Sequence, residues 1–337
     1  MQHRKYLLVL ALALVAPLVA GRSAVSQTPA PKATTIRIAS LAPPGSSFVK
    51  VLKAWSRTLQ KETDGRVELR VYSGGSEGSD RDLVQRMKAG KLDAAGIATT
   101  GLAMIAPELQ ILTAPGLLTE DAELDRVREK LDARLQALIE DGGFKLLAWG
   151  DGGKNRVFSS KEFKTPSDLA GKPAWAGKDN AVALEYVKAL GAKPLRIGSS
   201  DVFPALEKGK LEVVPASAMA AVAFQWYTKL NYMASKSFNI IVGGSVITKK
   251  KFNELSEADQ KTLLDTAKRA AKKLDEIVAR DDARAYQTLL GRGITEVDIT
   301  QNGSAWDGVA KKAREQLAVR GVYSKSLLHT VEAAAQK

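Results

Sequence analysis

From Ser256 to about Leu290 the chain keeps a helical pattern for some 35 residues, with Leu263, Leu264, Ala267, Leu274, Ile277, Val278, Tyr286 and Leu289 at its apolar positions and Gly291 to stop it. A helix rises 1.5 Å per residue, so this segment spans roughly 50 Å, more than the width of a single lobe. It therefore predicts a brace shared by two lobes.

The segments before it supply two sets of strand and helix. Thr35 to Leu41 reads as a strand and Pro43-Pro44-Gly45 as a turn; a helix follows with Phe48, Leu52, Trp55 and Leu59 on one face, capped by Ser46 or Ser47. Asp64-Gly65 closes that helix, and Val67 to Tyr72 is a second strand. Ser79-Asp80-Arg81-Asp82 has the form of a capping box, Leu83, Val84 and Met87 are its buried face, and Gly90 ends it before a third strand at Leu92 to Ile97. The pattern restarts with a strand at Phe144 to Trp149. After it come a short helix opening at Thr165-Pro166-Ser167-Asp168-Leu169, a helix from Ala181 to Leu190 ended by Gly191, another from Asp201 to Lys208, and a strand at Leu211 to Val214. Alternation at this pace predicts an α/β fold of βαβ units with a mostly parallel sheet in each lobe.

The N-terminus predicts export. His3, Arg4 and Lys5 precede an apolar run from Tyr6 to Ala20, the layout of a cleavable signal peptide over residues 1–26. Ala24-Val25-Ser26 is the expected cleavage site before Gln27, with Val19-Ala20-Gly21 as a second choice and an uncleaved anchor as the competing reading. Removal leaves about 310 residues, enough for two lobes. The formal charge is +13, of which Arg4, Lys5 and Arg22 belong to the leader, leaving about +10. The lysines are spread along amphipathic segments and form no basic run interleaved with aromatics, so no nucleic-acid partner is expected.

Chemistry-bearing residues are sparse. The two histidines are His3 and His329, and there is no cysteine. With His3 in the leader and His329 in the C-terminal tail, histidine acid–base chemistry and a histidine-rich metal site are nearly excluded, and thiolate catalysis and a disulfide framework have no residues to build on. No catalytic residue, metal ligand or cofactor is assigned, and the chain is not expected to be an enzyme. Tyr72-Ser73-Gly74-Gly75-Ser76-Glu77-Gly78 lacks the Gly-Lys-Ser/Thr ending of a phosphate-binding loop and reads as a turn before a capped helix. Gly150-Asp151-Gly152-Gly153 reads as a hinge or rim loop. Trp149, Trp175, Trp226 and Tyr227 gather in the second half, near strand ends and loops.

Several segments, taken in order, resemble the DctP-type substrate-binding proteins of TRAP transporters, from about Thr35 to Val331. The densest runs from Val71 through Gly74-Gly75-Ser76-Glu77-Gly78-Ser79-Asp80-Arg81-Asp82 to Gly90-Lys91-Leu92-Asp93. Pro107-Glu108-Leu109, Pro115-Gly116-Leu117-Leu118, Thr165 to Lys172, Leu190 to Pro194 and Asp201 to Gly209 are similar to further family segments. The resemblance implies a two-lobe periplasmic binding protein fold, with strands crossing between the lobes and a long bridging helix. On that reading, 34–150 plus about 241–280 form lobe I, and 151–240 plus about 281–330 form lobe II. It also implies capture of a small organic ligand in the interlobe cleft and delivery to the small and large TRAP membrane subunits. A periplasmic helper protein is a further candidate partner, and a sensor feeding a signalling partner is the competing function.

One departure bears on the ligand. Family members that bind organic acids carry an arginine in the strand after the Thr165 to Lys172 segment, and that position is Trp175 here. Arg156 stands where the family has a second basic contact, and Gln225-Trp226-Tyr227-Thr228-Lys229 to Met233 resembles a subgroup with tryptophan for the arginine. The expected cleft lining is Ser40, Thr99, Arg156, Trp175, Asp179, Asn180, Ser199, Ser217 and Trp226. Trp175 is the expected platform for an apolar, aromatic or amine-bearing ligand. The alternative keeps a carboxylate on Arg156 or a lysine, with Trp175 as packing.

Overall fold

The computed structural model describes residues 33–336; the expected leader, with its cleavage sites, lies outside the described residues. The first half runs β1 (Thr34–Ser40), α1 (Ser47–Glu62), β2 (Val67–Tyr72), α2 (Asp80–Lys88), β3 (Ala94–Ala98), α3 (Thr99–Ile105), a 3-10 turn at Pro107–Thr113 and α4 (Asp121–Asp141). The local signals act as read. The Ser46 hydroxyl accepts from the Val49 amide at the start of α1. At α2, the Asp82 carboxylate accepts from the Ser79 amide (2.8 Å) and the Ser79 hydroxyl from the Asp82 amide, a complete capping box.

The chain then enters β4 (Phe144–Ser159), followed by β5 (Pro173–Trp175), α5 (Ala181–Ala189), β6 (Lys193–Leu195), α6 (Ser199–Glu207), β7 (Val213–Ser217), α7 (Ala218–Ala223) and β8 (Tyr232–Ala234). It returns along β9 (Asn239–Thr248) and ends with α8 (Lys249–Asn253), α9 (Glu257–Gly291), β10 (Thr295–Val297), α10 (Gly303–Val319) and α11 (Lys325–Ala335). One sheet holds all ten strands, in the order β2-β1-β3-β9-β4-β7-β5-β6, with β8 on β4 and β10 on β8. The outer strands of each half pair in parallel, as expected of βαβ units. The middle is antiparallel, because β4 leaves the first half in one direction and β9 comes back in the other. Each half is thus a parallel edge grafted onto two shared crossing strands.

The Gly150-Asp151-Gly152-Gly153 segment is not a loop. β4 runs straight through it, pairing Gly150 with Gly243 and Asp151 with Val242 before the register shifts ahead of the Lys154–Ile240 pair. The bulge is absorbed at Gly153, where φ is +88°. The partner strand lies some 90 residues away, so local glycine content reads as a turn until the ladder is seen.

Hydrophobic clusters flank both halves. On one side of the first half, Ile36, Ile38, Leu52, Trp55 and Leu59 pack with Leu263 and Ala267 of α9; on the other, α2, α3 and α4 pack with Leu327, Leu328 and Val331 of α11. In the second half Tyr186, Val187 and Ala313 form one cluster, and Val202, Leu206, Trp226, Ala285 and Leu289 the other. The long helix therefore joins one core of each half, the bridge its length implied. The Trp55 indole N–H donates to the Thr266 hydroxyl (3.0 Å), and Arg66 pairs with Asp259 (3.0 Å), pinning its first half to lobe I. The C-terminal helix α11 packs against α4 of the first half, so the chain returns there after α10.

Where β3, β9 and β4 meet, glycine is required. A Cβ on Gly243 would lie 2.7 Å from the Ile97 carbonyl oxygen and 3.4 Å from that of Gly150, both fixed backbone atoms. Gly243→Ala is expected to cost about 1–3 kcal/mol through overpacking, read from the midpoint of a urea titration; an unchanged midpoint would mean the strands separate more easily than drawn.

Candidate functional site

A cavity of about 450 Å³ lies where the two halves face each other. Lobe I contributes Asp80 at the start of α2, Thr99 and Thr100 at the start of α3, and Gln110 and Thr113 of the 3-10 turn; Asn239 stands at the start of β9, where that strand leaves lobe II. Lobe II contributes Asn155 of β4, Trp175 of β5, Lys178, Asp179 and Asn180 before α5, Ser199 of α6 and Ser217 of β7. The strands end here and the helices begin here, the usual place for a ligand on an open α/β sheet.

Trp175 is held rigidly. Its indole N–H donates to the Ile197 carbonyl (2.9 Å), and its ring meets that of Trp226 edge to face at 5.4 Å and 69°. With the polar edge satisfied by backbone, the ring offers an occupant an apolar face. Trp226 is 1 % exposed and lines neither this cavity nor the neighbouring one; it supports Trp175 from below rather than reaching a ligand.

Arg156 departs from expectation. Side chains alternate along a strand, and Asn155 takes the cavity side of β4. Arg156 points to the opposite face, 3.8 Å from Asp282 and with its guanidinium 4.7 Å over the Tyr286 ring, both on α9. Burial depresses the Arg156 pKa and raises that of Asp282, each moderated by the opposite charge. The pair ties β4 to the long helix and clamps no ligand in this geometry.

Of the other expected residues, Thr99, Asp179, Asn180, Ser199 and Ser217 share the wall with Trp175, whereas Ser40 lines the neighbouring cavity. Asn180 accepts from the Ala183 amide (2.9 Å) and Ser217 from the Ala220 amide (3.2 Å), so both cap helices at the cavity rim. Thr99 donates to the Val242 carbonyl (2.5 Å).

Several cavity residues, Asn239 and Asp80 among them, are not singled out by sequence reasoning. Asn239 is 3 % exposed, donates to the Thr113 carbonyl and accepts from the Asn155 side-chain amide at 2.9 Å, a buried polar tie between the two crossing strands. A lone asparagine opening the apolar run Ile240-Ile241-Val242 was the available signal. Asp80 accepts from the Thr100 hydroxyl (2.6 Å) and weakly from the Ala98 amide; burial raises its pKa against those hydrogen bonds. In the sequence it shows only as part of a capping box. Among the described lining residues there is no arginine, and the one lysine, Lys178, is exposed at the rim.

A two-lobe fold with a polar, tryptophan-floored cavity between its halves defines a binding protein. The chain matches the DctP family, bacterial extracellular solute-binding protein family 7, over residues 38–317, and belongs to it. A solute-binding protein of Verminephrobacter eiseniae is 26% identical over 269 residues, 79% of each chain. The TRAP periplasmic solute-binding protein of Roseobacter denitrificans, solved with bound β-D-glucuronate, superposes with a TM-score of 0.81 at 18% identity, covering 89% of this chain and 99% of that one. That of Desulfovibrio salexigens, solved with orotic acid, gives 0.80 at 18% identity, covering 90% and 98%. Among the described residues no helix is long and apolar enough to cross a membrane.

Two predictions follow from the supports around the cavity. Arg156→Ala leaves Asp282 buried without its cation and is expected to lower stability by about 3 kcal/mol in a urea titration; a ligand clamp would leave stability unchanged and lose binding instead. At the strand crossing, Asp275 of α9 accepts from the Asp151 amide (3.3 Å), while Asp151 is paired with Arg128 (2.6 Å). Burial, and then the Asp151 charge, push Asp275 up to about 6. Its protonated form is the one folding favours, so this contribution is full below the unfolded value of 3.8 and is lost as pH rises through about 6. Asp275→Asn should therefore raise the melting temperature at pH 7.5 and flatten its decline between pH 4 and pH 6; a lower melting temperature at pH 7.5 would contradict this.

Proposed function

We propose that the chain is a periplasmic solute receptor, not an enzyme. It captures one small organic molecule against Trp175 and delivers it to a TRAP-type membrane permease. The ligand is a flat-ring compound rather than a simple dicarboxylate. The observation that carries this is Trp175 itself, fixed by Ile197 and Trp226 in the cavity wall, with Arg156 turned away to Asp282. A doubly charged acid would need paired guanidinium or ammonium donors in place, and none lines the wall beyond the exposed Lys178. A ring instead gains from face contact with the indole and from the amides and hydroxyls of Asn155, Thr100 and Ser199 around it. Orotic acid, the ligand of the Desulfovibrio relative, has a flat ring of this kind, whereas glucuronate presents a carboxylate on a non-aromatic sugar.

Delivery follows from two-state mechanics. A ligand that touches both lobes lowers the free energy of the closed form more than that of the open one, and the closed form is what a permease would recognise. The proposed lobes are 34–150 with about 241–280, and 151–240 with the chain from about 281, less the C-terminal helix. β4, β9, α9 and the link from α10 to α11 are the connections that would bend.

The test begins with a thermal-shift screen of aromatic acids, neutral ring compounds and glucuronate, followed by calorimetry on the strongest hit. Trp175→Ala is expected to weaken that ligand about 30-fold, the order of 2 kcal/mol of ring burial, with the circular-dichroism spectrum retained. Unchanged affinity in Trp175→Ala, or loss of binding in Lys178→Ala instead, would overturn the ring reading.

A further inference from the structure

We propose that the chamber of about 590 Å³ between α1 and α9 is a second compartment of the same binding site, taking an apolar extension of the ligand whose ring stands on Trp175. This rests on the ring reading above and names the class more closely: an elongated, amphipathic ring compound.

The two cavities are neighbours, since Asp80, Ala98 and Ile241 line both. Their chemistry differs sharply. The ring cavity is edged with amides and hydroxyls, whereas the chamber is walled by Phe48, Leu52, Trp55, Trp149, Leu274 and Val278. Protein interiors are normally close-packed, with few voids larger than a water molecule, so an apolar space of ligand size is not a packing residue. Its width has a visible cause. Ala267, Ala270 and Ala271 fall on the chamber side of α9, where leucines at the same spacing would close the gap to α1. Glycines on three adjoining strands, Gly96 of β3, Gly150 of β4 and Gly244 of β9, present bare backbone to it. A Cβ on Gly96 would come within 3.1 Å of the Phe48 ring.

Polar groups sit at the edges. The Ser47 hydroxyl donates to Asp281 (3.1 Å), tying α1 to α9. Asp80 stands at the junction and already accepts from Thr100, so a hydroxyl or amine between ring and tail meets an acceptor there. Met219 of α7 reaches the chamber from lobe II. A tail in this space would therefore touch both lobes and add to closure, and each buried methylene should strengthen binding about four-fold.

The experiment measures affinities of phenol and of 4-ethyl-, 4-butyl- and 4-hexylphenol by calorimetry on the mature chain. The expected result is a steady rise of about four-fold per methylene. Ala271→Phe, which fills the chamber, should flatten that rise while leaving phenol itself unchanged; Ala270→Leu is the milder plug if the first variant does not fold. Trp175→Ala should weaken every member by the same factor. A series with no chain-length dependence, or a slope untouched by both plugs, overturns the chamber while leaving the ring site standing. Long-chain affinity untouched by Trp175→Ala shows a separate site and overturns the shared one. Failure of every phenol to bind counts against the ring reading itself.

Discussion

The ladder between β4 and β9 is the constraint on which the rest depends. These two strands run antiparallel through the centre of the sheet, one entering lobe II and the other leaving it, and every other strand is built outward from them. Their pairing survives the crossing because glycines stand where side chains would collide: Gly243 against the backbone of Ile97 and Gly150, and Gly153 at the bulge. The same bareness opens the apolar chamber beside the crossing. The halves are joined by β4, β9, α9 and the link from α10 to α11, while the clusters of each half lie to either side of that crossing.

Charge at the crossing is arranged to hold this connection rather than to meet a solute. Arg128 of α4 pairs with Asp151 of β4, while Arg156 pairs with Asp282 and Asp275 accepts from the Asp151 backbone, so α9 is tied to β4 along its second half. Arg128 and Arg156 both serve the scaffold. The polar groups facing the cavity are a set of amides and hydroxyls beside Trp175, carboxylates at Asp80 and Asp179, and the exposed Lys178 at the rim. The start of α5 also meets the cavity, but its free amide is capped by Asn180, which blunts its pull on an anion.

Much of the architecture was legible from residues alone. Ser79 with Asp82, Ser46 and Gly191 mark helix ends by local hydrogen bonding, and local signals need no tertiary context. The bridging helix was legible from length, because no single lobe could bury it. What escaped depended on distant partners. The glycine run at 150–153 reads as a loop until β9 pairs with it, and the C-terminal helix carries no mark of the lobe it joins. Arg156 and Asn155 illustrate the limit at the site: alternation puts them on opposite faces, but nothing nearby says which face is the cleft. Trp175 was found because its strand position could be counted from a recognisable segment, whereas Asp80 was masked by the stronger capping signal two residues on.

The central claim is that a ring compound, not a dicarboxylate, is the cargo. Its most direct test is mass spectrometry of the small molecule released by denaturing the protein after purification from a periplasmic fraction under native conditions. The account predicts a single compound with a flat ring, no more than one carboxylate and an apolar extension. Recovery of a dicarboxylate, or of an open-chain acid lacking a ring, would contradict it.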